Sequence, residues 1–159
     1  MSVLYTPTDN DEMRDAYGTR FGVCGPTVLA VLERATVKEI VDRWPNGYRG
    51  YAPMVDVKKL LGEFGWSYKF KSAHKSKEFP TPDTDLAIVR IQWLKDDGTE
   101  YFWAEATLHT HYVLMARHEG QWWVYCNGDG YGWFLRDSPD GKDYLDGGFV
   151  TSYLELTMA

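Results

Sequence analysis

The sequence predicts an α+β fold, with helices in its first half and an antiparallel sheet in its second. Apolar residues recur at helical spacing before residue 65, branched and aromatic runs follow after residue 85, and glycine-containing turns separate those runs. Helices followed by strands are typical of the α+β class. The 159 residues suffice for one domain. We therefore expect a single unit (1–159) with an extended or short irregular helical arm at 1–20, a helical part at 21–65 and a sheet part at 86–157.

The helical part contains three predicted helices. The strongest signal is Pro26, a residue favoured in the first turn of a helix, followed by a nearly all-apolar stretch to Leu32. Such a stretch predicts a buried central helix with Cys24 at or just before its N-terminus. Two more helices are expected at Val37–Trp44 and Met54–Phe64.

The second half predicts about four to six strands. The polar region Lys69–Asp85 holds two prolines and is expected to be a loop. Gly120 and the Asn-Gly-Asp-Gly cluster that begins at Asn127 predict hairpin turns. The expected strands are Leu86–Trp93, His111–Arg117, Gln121–Cys126, Tyr131–Leu135 and Phe149–Thr157, with Ala104–Thr107 as a less clear case.

Charge and composition exclude several classes of protein. The net charge of −6, from 17 Lys and Arg against 23 Asp and Glu, argues against a nucleic-acid-binding surface. No apolar run approaches the roughly 20 residues that span a bilayer, and the N-terminus does not resemble a secretory signal. The two cysteines lie far apart and form no CxxC pair. We therefore expect a cytoplasmic protein with reduced thiols, no metal, no cofactor and no membrane partner.

Cys24 is the strongest candidate for a chemical role. A thiol at a helix N-terminus feels the positive end of the helix dipole, which lowers its pKa and favours the nucleophilic thiolate. Gly22 and Gly25 flank it and would leave room for a substrate. Backbone N–H groups at the same helix start could stabilise an oxyanion. The alternative interpretation is a buried structural cysteine.

A nucleophilic cysteine needs a base and a group that orients the base. His111 opens a predicted apolar strand, a position that suits a catalytic base as well as an ordinary strand end. Asn127 closes the next predicted strand, and a hairpin at Gly120 would bring it beside His111. Asp129 is the alternative orienting residue, and the Asn-Gly pair also needs no function beyond a turn.

Taken together, these segments resemble the papain-like cysteine peptidases. Gly22-Val23-Cys24-Gly25-Pro26-Thr27 before an apolar helix is similar to the cysteine motif of the branch that processes the double-glycine leaders of bacteriocins. His111-Tyr112-Val113-Leu114 resembles the histidine strand of that branch, and Tyr125-Cys126-Asn127 its acidic or amide residue. The resemblance covers roughly residues 18–130. It implies a papain-like fold in which Cys24 is the nucleophile, His111 the base and Asn127 the orienting residue.

The sequence departs from that family at the oxyanion donor. Papain-like peptidases usually carry a glutamine about six residues before the cysteine, where this chain has Gly18. The resemblance therefore implies that Tyr17, Thr19 or Arg20, or backbone N–H groups alone, would replace the glutamine.

These features predict a cysteine-dependent hydrolase that cleaves a peptide, isopeptide or side-chain amide bond in a peptide or protein substrate. Two alternatives stay open: an acyl-transferring enzyme of the transglutaminase or deamidase kind, and a catalytically silent fold used as a binding module. Aromatic residues make up 16% of the chain and could line a binding groove. The groove candidates are Trp122, Trp123 and Trp133.

Overall fold

Helices come first along the chain and the main sheet follows, as the sequence predicts. The computed structural model describes residues 4–21, 23–128 and 132–158, of which residues 18–21, 103, 104 and 107 are described by their backbone alone. The described helices are α1 (Asn10–Phe21), α2 (Cys24–Glu33), α3 (Val37–Asp42), α4 (Met54–Glu63), α5 (Trp103–Ala106), which continues into a 3-10 turn (Thr107–His109), and α6 (Pro139–Asp143). The described strands are β1 (Trp66–Ser76), β2 (Leu86–Trp93), β3 (Thr110–His118), β4 (Gln121–Cys126), β5 (Gly132–Leu135) and β6 (Gly148–Met158).

In the described part of the chain the strands form one antiparallel sheet in the order β1-β6-β2-β3-β4-β5. Strand β6, the last in sequence, lies between β1 and β2 and so joins the first two strands. The predicted α+β class and the predicted antiparallel sheet are confirmed.

Local chemistry explains several helix ends. The Thr36 hydroxyl accepts a hydrogen bond from the backbone N–H of Glu39 (3.2 Å) and caps α3. The Asp9 carboxylate also accepts from the first N–H groups of α3, those of Val37 (2.8 Å) and Lys38 (3.0 Å), and ties the N-terminal segment to that helix. Helix α2 ends at Arg34, which adopts the left-handed conformation with φ 55°.

Each face of the sheet is covered by a separate apolar cluster. We call the face that packs against α2 the helix face and the opposite one the back face. Alternation along the strands assigns successive side chains to opposite faces. The helix-face cluster joins the buried residues of α2 to Leu60 and Leu61 of α4 and to Ile88, Tyr112, Leu114, Tyr125, Leu154 and Leu156 of the sheet. The back-face cluster contains Ala87, Val89, Ile91, Val113, Met115, Trp122, Val124, Cys126, Phe134, Tyr144, Leu145 and Val150.

Three local predictions are wrong. Residues 10–21 form a regular helix rather than an extended or irregular arm, because Met13 and Tyr17 pack against the helix-face cluster. The predicted loop at Lys69–Asp85 contains most of β1, an edge strand so exposed that it lacks the alternation of a half-buried strand. The doubtful strand at Ala104–Thr107 is the short helix α5 leading into the 3-10 turn.

Candidate functional site

Cys24 occupies the first position of α2, as Pro26 predicts. The turn begins with a hydrogen bond from the Thr27 N–H to the Val23 carbonyl (2.9 Å), and no side chain caps the helix. Residues Gly25 to Val31 are buried, so α2 is the central helix of its face. Cys24 itself is half-buried at the edge of the helix-face cluster.

The glycine after Cys24 permits close packing of the chain that follows α3. A Cβ atom built on Gly25 would lie 2.3 Å from the Ala52 Cβ and 3.6 Å from the Trp44 ring. A hydrogen bond also ties this segment to the sheet, because the Tyr112 hydroxyl of β3 donates to the Ala52 carbonyl (2.8 Å). Gly25 is therefore explained by packing rather than by a need to keep the thiol open.

The electrostatics of Cys24 differ from the expectation of a lowered pKa. Burial is the main cause that raises the pKa of the Cys24 thiol to about 11, and the neighbouring thiol of Cys126 contributes in the same direction. A backbone hydrogen bond from Tyr112, together with backbone groups at the helix start, lowers it by less. Desolvation thus outweighs the helix terminus, and in this conformation Cys24 is a neutral thiol at pH 7.

Tyrosines surround the Cys24 thiol. Tyr48 lies close enough to Cys24 for their charges to interact, and burial raises the pKa of Tyr48 well above its usual range. The Tyr17 ring packs edge-on against Tyr48 with 5.3 Å between centroids. Of the three oxyanion candidates, Tyr17 is therefore placed beside the Cys24 environment. Thr19 and Arg20 lie in α1, but their side chains fall outside the described part of the chain.

His111 lies beside the other cysteine. Its Nε2 is 3.2 Å from the Cys126 Sγ, and its ring is 5.9 Å from that of Trp93. The Cys126 sulfur also accepts hydrogen bonds from the Tyr144 hydroxyl (2.9 Å) and from the Gly128 N–H (3.3 Å). The hydrogen bonds among the described residues thus join His111 to Cys126 and do not join it to Cys24.

The pair of His111 and Cys126 is uncharged. Burial lowers the pKa of His111 to about 4, so the imidazole is neutral at pH 7. Burial also raises the pKa of Cys126, against smaller lowering effects of Tyr144 and Gly128. A thiol and a neutral imidazole, rather than a thiolate and an imidazolium, therefore face each other.

Strand alternation explains why His111 meets Cys126. In the β3–β4 register, Leu114 pairs with Tyr125, and both belong to the helix-face cluster. Val113 and Cys126 are the next residues on the two strands and belong to the back-face cluster. His111 is two residues from Val113 and shares its face, so its ring reaches the back face.

Asn127 follows β4 and is buried, with 6% of its surface exposed. Its backbone carbonyl accepts a hydrogen bond from Arg14 Nη1 of α1 (3.3 Å). This bond places the backbone of Asn127 beside α1, one residue beyond the end of β4. Asp129, the alternative orienting residue, lies outside the described residues.

The groove candidates make contacts within the protein. Trp122 is 7% exposed and belongs to the back-face cluster. Trp133 packs against the helix-face cluster, and its indole N–H donates to the Tyr5 carbonyl (3.0 Å). Trp123 is half-buried on β4. A surface cavity lies elsewhere, beside the start of α4, and its lining residues include Trp44, Arg49, Tyr51 and Asp56.

Three residues near the thiols and His111 were not identified as part of the site from the sequence. Cys126 could have been found from the hairpin itself, because alternation about Gly120 puts it on the face of His111. No sequence pattern indicates that Tyr48 or Tyr144 lies near a cysteine. Tyr48 is in the loop after α3, and Tyr144 directly follows the short helix α6.

Within the described residues, no three His, Cys, Asp or Glu side chains come together as a metal site would require. Both cysteines are free thiols. No helix of the described chain is long and apolar enough to cross a bilayer.

Comparisons with known proteins assign no family. No protein-family model matches this sequence, and no curated protein is significantly similar to it. The class defined by fold and site is therefore an α+β protein with an antiparallel sheet and two free thiols, of which that of Cys126 contacts the His111 imidazole.

Proposed function

We propose that the protein is a cysteine-dependent hydrolase of a peptide, isopeptide or side-chain amide bond, with Cys24 as nucleophile. The observation that carries this proposal is the position of Cys24 at the first residue of α2, with the Tyr112 backbone near enough to lower the pKa of the thiol. Tyr112 follows His111 directly, so the thiol at the start of α2 and the imidazole at the start of β3 lie at one end of the sheet.

The proposed reaction uses the two groups in sequence. His111 takes the Cys24 proton as the sulfur attacks the substrate carbonyl, and then gives it to the departing amine. Water hydrolyses the resulting thioester and regenerates the thiol. At pH 7 the His111 imidazole is neutral and can accept a proton, and release from the burial that lowers its pKa to about 4 would make it a stronger base toward the thiol.

The proposal requires a change of partner at His111. In the observed arrangement the ring is hydrogen-bonded to Cys126 on the back face, so acting on Cys24 requires that this bond break and that the backbone at the start of β3 rearrange. Asn127, one residue beyond β4, is the proposed orienting residue for the ring in that position. Tyr17 and backbone N–H groups at the start of α2 are the proposed oxyanion donors.

The matched variants Cys24→Ala and Cys126→Ala test the assignment. Both remove one thiol, and both are assayed on a peptide library with thermal unfolding as the control for folding. We expect Cys24→Ala to lower the rate on the order of 10⁶-fold, as loss of a nucleophile does, and Cys126→Ala to retain activity. Activity lost only in Cys126→Ala would move the nucleophile to the back face, and equal activity in both folded variants would end the enzyme assignment.

A catalytically silent binding module is the second candidate function. It is favoured by the raised pKa of both thiols and by the bond that already occupies His111. Alkylation of Cys24 by iodoacetamide separates the two functions. A hydrolase requires a rate that levels off below the free-thiol pKa of about 8.5. A rate that still rises above pH 10, matching that of Cys126, supports the binding module.

A further inference from the structure

Strand β1 is a long edge strand with an open side. Its residues Trp66–Ser72 pair without interruption with β6, and no described strand pairs with its other edge. The opposite edge of the sheet, β5, has only four residues. An unpaired edge presents a row of backbone N–H and C=O groups that another extended chain can pair with.

The chain segment that contains β1 has a charge opposite in sign to that of the whole protein. Residues 58–77 carry six lysines and a single carboxylate, Glu63, in a chain of net charge −6. Lys59 and Lys69 are exposed and form no ion pair with any described residue. Lys71 lies 3.8 Å from Asp83 and 3.9 Å from Glu155, and these carboxylates balance part of its charge, whereas the charges of Lys59 and Lys69 stay available to a partner. The lysines create a local positive field that favours an acidic partner.

The helix face of β1 exposes two aromatic rings. Tyr68 is 42% and Phe70 is 51% exposed, and the two side chains lie opposite Leu156 and Leu154 of β6. The Lys58 Nζ of α4 lies 5.8 Å from the Tyr68 ring centroid and 5.2 Å from that of Phe70. The rings therefore form an apolar strip beside the open edge, bordered by a cation.

We propose that the open edge of β1 binds an extended acidic peptide segment as an added strand. Side chains on one face of that segment would be apolar and would cover Tyr68 and Phe70. Side chains on its other face would be carboxylates that meet Lys69 and Lys71, which alternation places on the back face of β1. This site does not depend on the proposed hydrolase activity.

The arrangement favours this partner over two others. A second copy of the chain pairing through β1 would bring lysines against lysines. A nucleic acid would need a row of lysines beside the rings, whereas only Lys58 lies there and the lysines of β1 itself lie on the opposite face. The register shift between Ser72 and Ser76, where His74 and Lys75 have φ of 54° and 58°, ends the regular edge and limits the site to about seven residues.

The test uses a labelled peptide of alternating Glu and Val with a central Phe, followed by fluorescence anisotropy at low and high salt. Lys69→Glu and Phe70→Thr should each weaken binding about tenfold, and added salt should weaken it further. Lys142→Glu makes the same charge change beside the opposite edge and should leave binding unchanged. Thermal unfolding of each variant checks the fold.

Two N-methylated peptides test strand pairing itself. Methyl groups on alternate backbone nitrogens remove the donors of one peptide edge and leave those of the other. We expect one methylated register to lose binding and the other to retain it. Equal binding of both registers, unchanged binding to the folded Lys69→Glu and Phe70→Thr variants, or displacement of the peptide by oligo-dT would overturn the proposal.

Discussion

The two faces of the sheet each hold one cysteine, in very different surroundings. Cys24 on the helix face is half-buried, and backbone groups and the side chain of Tyr48 lie near its thiol. Cys126 on the back face is buried and has an imidazole, a phenol and a backbone N–H within hydrogen-bond distance. The cysteine with the recognisable motif thus differs from the one that contacts the histidine.

This difference shows how strongly strand alternation constrains a site. Moving one residue along β3, from His111 to Tyr112, exchanges the back face for the helix face. Tyr112 packs in the helix-face cluster and bonds to the chain that covers α2, whereas His111 points to Cys126. Residues adjacent in sequence can therefore serve opposite faces.

The largest expected effect is a loss of folding stability in acid, caused by His111 on the back face. The pKa of His111 is lowered from 6.5 to about 4, so the unfolded chain binds a proton in a pH range where the folded chain does not. The stability from the neutral His111 is complete above pH 6.5 and declines as the pH falls toward 4. Between pH 7.5 and 4.5 we expect the wild type to lose about 2 kcal/mol more than His111→Gln in urea unfolding. Parallel curves for the two proteins would contradict a buried neutral imidazole.

The next effect concerns packing on the helix face. Gly25→Ala would place a methyl group 2.3 Å from the Ala52 Cβ, which belongs to a short, inflexible side chain. We expect a loss of about 1–3 kcal/mol in the free energy of unfolding, as for other overpacked sites.

Gly62→Ala in α4 is the matched control for Gly25→Ala. Among the described residues, no atom outside its chain neighbours and the backbone of its own helix lies within 4 Å of the added Cβ, so the better helix propensity of alanine should stabilise the protein by about 0.5–1 kcal/mol. Thermal or denaturant unfolding should give opposite signs for the two variants. Equal signs would mean that the contact between Gly25 and Ala52 does not limit packing.

The smallest expected effect is the loss of unfolding free energy when one tyrosine hydroxyl is removed from each face. Tyr112→Phe removes the donor to the buried Ala52 carbonyl and should cost about 1 kcal/mol in the free energy of unfolding. Tyr144→Phe removes a donor to the Cys126 sulfur, a weak acceptor that keeps His111 and Gly128 as partners. We expect a smaller loss there in denaturant unfolding. A larger loss for Tyr144→Phe would show that the hydrogen bond to the Cys126 sulfur contributes more to stability than the one to the Ala52 carbonyl.

The sequence predicted the helices and strands that carry a one-sided or fully apolar pattern. Leu86–Trp93 is a strand with the predicted bounds, and α2 begins at Cys24. The sequence did not predict α1 or β1. Both elements are largely exposed, so their apolar residues do not recur at the spacing of a half-buried helix or strand. Their structure depends on partners distant in the chain: Asn127 and the helix-face cluster for α1, and β6 for β1.

For the site, the sequence by itself determined which residues carry reactive groups and that Cys24 begins a helix, because proline and apolar spacing act within one or two turns. The tertiary structure decided the partners and the charge states. Burial raised the pKa of Cys24 to about 11 against the helix terminus, and the pairing of β3 with β4 directed His111 to Cys126. Desolvation and strand register arise only when distant segments pack, so neither can be derived from a local motif.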